Sequence, residues 1–216
     1  MRNFQYVTKE ELAPVRDELI SIIKATQNLL RNEFTFRFDF VGSYPRKMVT
    51  YDPTSNIGFD FDVNLEVNDD DGEYNPEELK HKIIWALNRV AWKYGYDYAE
   101  DSTRVITIKV KDRRNSRILH SCDFAIVNNY TDEDGYEHQE YIRHNKKRHI
   151  YTWEEQPGGY YMLSQKEQWI KDNKHQNSLS KLYLRKKNHS TDPHKHSRSL
   201  YAEAVHEICQ KYGFRP

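Results

Sequence analysis

Cysteine is scarce, with only Cys122 and Cys209 in 216 residues. Two residues make no disulfide framework, and their separation matches no metal-ligand spacing. Excess charge of either sign is also missing, since 33 Lys and Arg balance 33 Asp and Glu. No global field therefore draws nucleic acid or membrane, and any such contact has to come from a local patch. No apolar run approaches the roughly 20 residues that cross a bilayer. The opening MRNFQYVTKEEL lacks the apolar core of a signal peptide. A soluble cytoplasmic protein with no membrane partner is the expectation. The aromatic poverty of disordered chains is absent here: aromatics make up 13% of the chain, including 16 Tyr. The length suits one substantial domain with a small helical appendage.

What the chain does have is concentrated between Phe34 and Val67. Phe34, Phe36, Phe38 and Phe40 alternate with Thr35, Arg37 and Asp39. Phe59, Phe61, Val63, Leu65 and Val67 alternate with Asp60, Asp62, Asn64 and Glu66. A period of two predicts strands with one buried face. Between them lie a Gly42-Ser43 turn, a Pro45 that fits the first turn of a short helix, and the Asp52–Gly58 loop.

Around this pair, Thr8 and Glu11 form a capping box that opens an amphipathic helix to about Arg31. Asn75-Pro76-Glu77-Glu78 opens a second helix, closed by Gly95, with Trp85 and Trp92 expected to pack beside its apolar stripe. Strands follow at 104–110 and 118–127; Asp134-Gly135 turns 136–143 back on the latter, and 148–153 adds another. After Pro157-Gly158-Gly159 the pattern becomes helical: a capping box from Ser164 to Glu167, a helix at 178–187, and a last one at 197–212. The sum is an α+β fold, a mixed or antiparallel sheet with flanking helices. A domain over 1–156 and a helical region over 157–216 are expected.

Asp is a poor strand former, so Asp60 and Asp62 on one strand face need a reason. Carboxylates at i and i+2 lie roughly 7 Å apart at Cα and can converge on one divalent ion or bridge two. Such oxygen ligands suit Mg²⁺ or Mn²⁺, which keep substrate phosphates among their ligands. Asp123, alone among apolar neighbours in Cys122–Val127, is the candidate third acid. Gly42 admits close approach of a phosphate, Ser43 can donate to it, and Arg46 and Lys47 can neutralise it.

A Gly-Ser turn, then Asp-Phe-Asp on a strand, then one Asp on a later strand resembles the DNA polymerase beta-like nucleotidyltransferase superfamily over about residues 34–127. The resemblance implies that Gly42 and Ser43 hold a triphosphate. It also implies that Asp60, Asp62 and Asp123 hold two metal ions and are the catalytic acids. The expected activity transfers a nucleoside monophosphate from a nucleoside triphosphate to a hydroxyl, releasing pyrophosphate. The acceptor stays open among RNA, a nucleotide, a small molecule and a protein. The alternative is a catalytically silent module of the same fold that binds nucleotide, RNA or a protein partner.

Other features have simpler readings. The acidic 68–72 turn lacks EF-hand spacing. His189, His194 and His196 lie in a polar segment without cysteine partners or a helical zinc signature. The basic runs at 145–149 and 185–187 sit near aromatics and could guide nucleic acid or a triphosphate; in a nucleotidyltransferase, Lys181, Lys186 or Lys187 on the C-terminal helices could reach the nucleotide.

Overall fold

The computed structural model describes residues 2–69, 72–192 and 195–215. Asp70 and Asp71 of the acidic turn, and His194, lie outside the described residues. The elements are β1 (Gln5–Tyr6), α1 (Lys9–Leu30), β2 (Phe36–Val41), β3 (Thr50–Tyr51), β4 (Phe59–Val67), α2 (Pro76–Val90), β5 (Glu100–Asp101), β6 (Ile106–Asp112), β7 (Arg117–Thr131), β8 (Glu137–Asn145), β9 (Ile150–Glu155), α3 (Leu163–Asp172), α4 (Gln176–His189) and α5 (Ser197–Tyr212). They fall into two compact units. The larger spans Val7–Val49 and Ser55–Gln156; the smaller combines Met1–Tyr6, Thr50–Thr54 and Pro157–Pro216. No helix among the described residues is long and apolar enough to cross a membrane.

The larger unit holds a mixed sheet. Its strands run β2-β4-β7-β6-β5, and the far half of β7 pairs with β8, which pairs with β9. β4 and β7 are parallel, whereas β2 with β4 and β6 with β7 are antiparallel. Alternation sorts each strand: Phe61, Val63 and Leu65 of β4 are buried together with Ile106, Ile108, Phe124 and Ile126. Leu19, Ile22 and Ile23 of α1 and Ile83 and Leu87 of α2 complete this core. Polar side chains are left on the opposite sheet face. Helices α1 and α2 begin as their caps dictate. Thr8 Oγ1 accepts from the Glu11 amide while Glu11 accepts from the Thr8 amide, and Asn75 accepts from the amides of Glu77 and Glu78. Lys80 of α2 is buried but paired, 2.7 Å from Asp101 and 2.7 Å from the Ser102 carbonyl.

The smaller unit contains the β1–β3 pair and helices α3, α4 and α5. Tyr6 donates to the Ser180 carbonyl, and the Asn188 side chain bonds both backbone groups of Phe4. Asp52 is a turn residue as read, yet it is buried, accepting from Thr54 and from the Asn3 amide.

Three local expectations are corrected. No helix starts at Pro45: residues 42–47 form successive turns, and Lys47 takes a left-handed φ of 58° that stops propagation. The Ser164 capping box does not form, because α3 begins one residue earlier behind Met162, itself left-handed at φ 52°. Trp85 and Trp92 are 48% and 64% exposed, so they stand at the surface, with Arg89 over the Trp85 ring.

Gly58, just before β4, lies so close to the Leu119 carbonyl of β7 that a β-carbon would collide with it. Across the same edge the Ile118 amide donates to the Asn56 carbonyl at 2.8 Å. Gly58→Ala should therefore lower stability by about 1–3 kcal/mol, the usual penalty for overpacking, as read by urea denaturation.

Candidate active site

The site begins with strand register. Parallel pairing sets Asp62 of β4 directly opposite Asp123 of β7, and Asp60 opposite Ser121. On the other side of β7, Thr107 of β6 faces Asp123 and Lys109 faces Ser121. β5 adds Glu100 opposite Thr107. Residues directly opposite one another share a sheet face, so two polar rows cross the sheet. One runs Asp62, Asp123, Thr107, Glu100; the other runs Asp60, Ser121, Lys109.

Short hydrogen bonds tie the rows. Thr107 Oγ1 donates to Asp123 Oδ1 at 2.5 Å, and Ser121 Oγ donates to Asp60 Oδ1 at 2.8 Å. Lys109 Nζ is 2.7 Å from Glu100 Oε2. Sequence reading missed Thr107, Ser121, Lys109 and Glu100. The available signal was alternation: Ser121 lies two residues before Asp123, and Thr107 and Lys109 form the polar phase of Ile106–Val110.

The turn after β2 closes the other side of Asp62. Gly42 has φ 67°, a left-handed value that glycine adopts freely. A β-carbon there would collide with Asp62 Oδ2, so both its conformation and its closeness to the carboxylate require glycine. The turn is fastened by Met48 N donating to Ser43 O at 2.9 Å and Lys47 N donating to Tyr44 O at 2.9 Å. Tyr44 anchors it to the core, with ring centroids 5.2 Å from Phe40 and 5.0 Å from Phe61. Arg46 folds back, donating to the Gly42 carbonyl at 2.9 Å, and its charge is felt at Asp62. Lys47 is exposed. The structure thus gathers Gly42, Ser43, Arg46, Asp60, Asp62 and Asp123 at one end of β4. In the smaller unit, Lys187 donates to Thr50 Oγ1 at 2.7 Å, and Lys186 pairs with Glu203 and Glu207.

The electrostatics follow from this crowding. Burial pushes the Asp62 carboxyl up to about 7; the charges of Asp60 and Asp123 add to the effect and Arg46 opposes it. Asp123 is also raised, by burial first, against the donated Thr107 hydrogen bond and the charge of Lys109. Behind them, burial and the same acids hold the Cys122 thiol far from ionising. Acids that repel one another on a polar face offer the charge and the hard oxygens a divalent cation needs. By donor chemistry they fit Mg²⁺ or Mn²⁺. As they stand, no three His, Cys, Asp or Glu side chains among the described residues form a cluster ready to hold a metal ion.

With this geometry in view, solved structures give a match. A STING-associated CdnE c-di-GMP synthase from Capnocytophaga granulosa aligns with 98% of this chain and 64% of its own at a TM-score of 0.60 and 16% identity. Vibrio cholerae DncV in its GTP-bound form aligns with 93% and 52% at 0.55 and 15% identity. A CdnE cyclic dinucleotide synthase from Elizabethkingia meningoseptica, solved with GTP and Apcpp, aligns with 88% and 67% at 0.50 and 16% identity. The chain has the nucleotidyltransferase fold. These neighbours belong to the DNA polymerase beta-like superfamily that the Gly-Ser turn and the acids resembled. The chain spans about half to two thirds of their length. No family model matches the sequence, and neither does any curated protein.

The raised Asp62 carboxyl has a stability signature. Between its ordinary value of 3.8 and about 7, the unfolded chain ionises this group while the folded chain keeps the proton. Its contribution is therefore full below pH 4 and is lost as pH rises through 7. Asp62→Asn should flatten the decline in melting temperature across that window, so that the variant gains on the native protein at pH 8 relative to pH 4. Equal pH profiles would show that Asp62 ionises freely in the fold.

Proposed function

We propose that the protein is a divalent-metal-dependent nucleotidyltransferase that moves a nucleoside monophosphate from a nucleoside triphosphate to a hydroxyl, the acceptor being a second nucleotide. The observation that carries this reading is the register pairing of Asp62 with Asp123, with Gly42 pressed against Asp62. An acidic pair beside a turn that only glycine can form is a place where a phosphate and a cation can meet. The choice of a nucleotide acceptor is supported by the fold neighbours, which are cyclic dinucleotide synthases with GTP or a triphosphate analogue bound.

In this reading the donor triphosphate lies along the Gly42–Ser43 turn, where Ser43 donates to phosphate oxygens. Arg46 and Lys47 neutralise it, Arg46 with paired donors and Lys47 as a point charge. Asp60, Asp62 and Asp123 would hold the Mg²⁺ or Mn²⁺ ions. When bound, the cation supplies Lewis-acid stabilisation of phosphate charge and eases ionisation of the acceptor hydroxyl. The acceptor oxygen forms a bond to the α-phosphorus as the bond from that phosphorus to the bridging oxygen breaks. Pyrophosphate leaves with the electron pair, and the acceptor proton passes to Asp123 or to water. All these residues lie in the larger unit.

A second reading, a catalytically silent nucleotide-binding module, is favoured by one observation: the acids do not form a ready metal-holding cluster of three among the described residues. The two are separated by incubating the protein with GTP, ATP or both, with Mg²⁺ or Mn²⁺, and assaying pyrophosphate and dinucleotide products. The proposal expects metal-dependent product that falls to background in Asp60→Asn/Asp62→Asn. It also expects a metal-dependent rise in melting temperature with triphosphate, since a ligand that binds only the folded state stabilises it. A thermal shift without product supports the silent module, and the absence of both responses overturns the nucleotide-binding reading.

A further inference from the structure

Both outer acids of the site are held by a hydroxyl from a neighbouring position on the sheet. Thr107 lies directly opposite Asp123 on β6 and donates to its Oδ1. Ser121 lies directly opposite Asp60 on β7 and donates to its Oδ1. The pattern is the same twice, one hydroxyl and one carboxylate oxygen, always across a strand pair and always on the polar face.

Three like-charged groups on two adjacent strands would relieve their repulsion by turning away from one another or by taking up protons. A hydroxyl donor on the far side of Asp123 fixes one oxygen toward β6 and leaves Oδ2 for a ligand. Thr107 suits this role because a β-branched side chain on a strand has few rotamers, so its hydroxyl is aimed in advance. Lys109 and Glu100 stand on the same face beside it, paired with one another at 2.7 Å. The Lys109 charge favours the ionised form of Asp123, whereas that of Glu100 opposes it.

We propose that Thr107 and Ser121 are positioning residues that aim Asp123 and Asp60 for cation binding. This rests on the nucleotidyltransferase reading and deepens it. Each acts through the carboxylate it holds, as outer-shell donors to metal ligands do.

The test compares Thr107→Val, which keeps the shape and removes the donor, with Thr107→Ser, which keeps the donor. Ser121→Ala tests the second hydroxyl independently should the Thr107 variants fail to fold. Mn²⁺ affinity is measured by titration calorimetry with a non-hydrolysable nucleoside triphosphate held constant, alongside the melting temperature. Thr107→Val and Ser121→Ala should each weaken Mn²⁺ binding by about tenfold or more, the usual loss when an outer-shell partner is removed. Thr107→Ser should bind as the native chain does. In turnover, kcat should fall in Thr107→Val with KM for the triphosphate held. Native-like Mn²⁺ affinity in both Thr107→Val and Ser121→Ala overturns the inference and leaves the nucleotidyltransferase reading standing. Absence of Mn²⁺ binding by the native chain overturns both.

Discussion

The parallel pairing of β4 with β7 is the contact on which the site depends. Antiparallel neighbours are available on both sides, β2 against β4 and β6 against β7, but neither brings acids together. Only the parallel register puts Asp62 level with Asp123. Because side chains alternate, the same register buries Phe61 beside Cys122 and Val63 beside Phe124 on the other face. A slip of one residue would bring the acids into the core and the phenylalanines into solvent. The hydrophobic effect thus holds the charged groups in place, although they repel one another. Burying Phe61, Val63, Phe124 and Leu65 contributes about 1.5–3 kcal/mol each, enough together to outweigh the cost of keeping one carboxyl protonated.

The turn from Gly42 to Lys47 depends on that arrangement in turn. Its conformation is set from below by Tyr44 against Phe40 and Phe61, and from the side by Asp62 against Gly42. A segment half-buried at Gly42–Tyr44 and exposed from Pro45 to Lys47 thereby acquires a definite shape without a regular hydrogen-bond ladder. Loops held by a rigid scaffold are where binding groups commonly sit. Here the scaffold strand and the loop share a residue contact, so whatever moves Asp62 also moves the turn.

How much of this was legible in the sequence can be judged residue by residue. The strand pair at 34–67 and its two faces were readable from strict alternation, as were the caps at Thr8 and Asn75, where local chemistry decides the structure. The acids were readable because Asp is out of place in a strand. The resemblance that names the fold rested on those same residues, and the structural neighbours bear it out. Strand order was not readable: which strand lies beside β4, and in which direction, is decided by packing between segments some 60 residues apart in sequence. Thr107 and Ser121 were missed for that reason, since nothing local marks a threonine in Ile106–Val110 as the neighbour of an acid at 123. The Pro45 helix failed because propensity lost to tertiary contact: Tyr44 docks on the core and leaves the turn no freedom to wind. The surface placement of Trp85 and Trp92 was missed because an apolar stripe predicts which helix face is buried more surely than where that face ends.

Gly58 shows where the position of such a site along the chain is set. The close approach of Gly58 to the Leu119 carbonyl, with the Asn56–Ile118 hydrogen bond next to it, fastens the beginning of β4 to β7 two residues before Asp60. The count from this fastening to the acids is short and fixed. One residue inserted between Gly58 and Asp62 would exchange the two faces of the strand. The places of the acids are thus set from Gly58 onward, by its seat against β7 and not by the chain that leads into it.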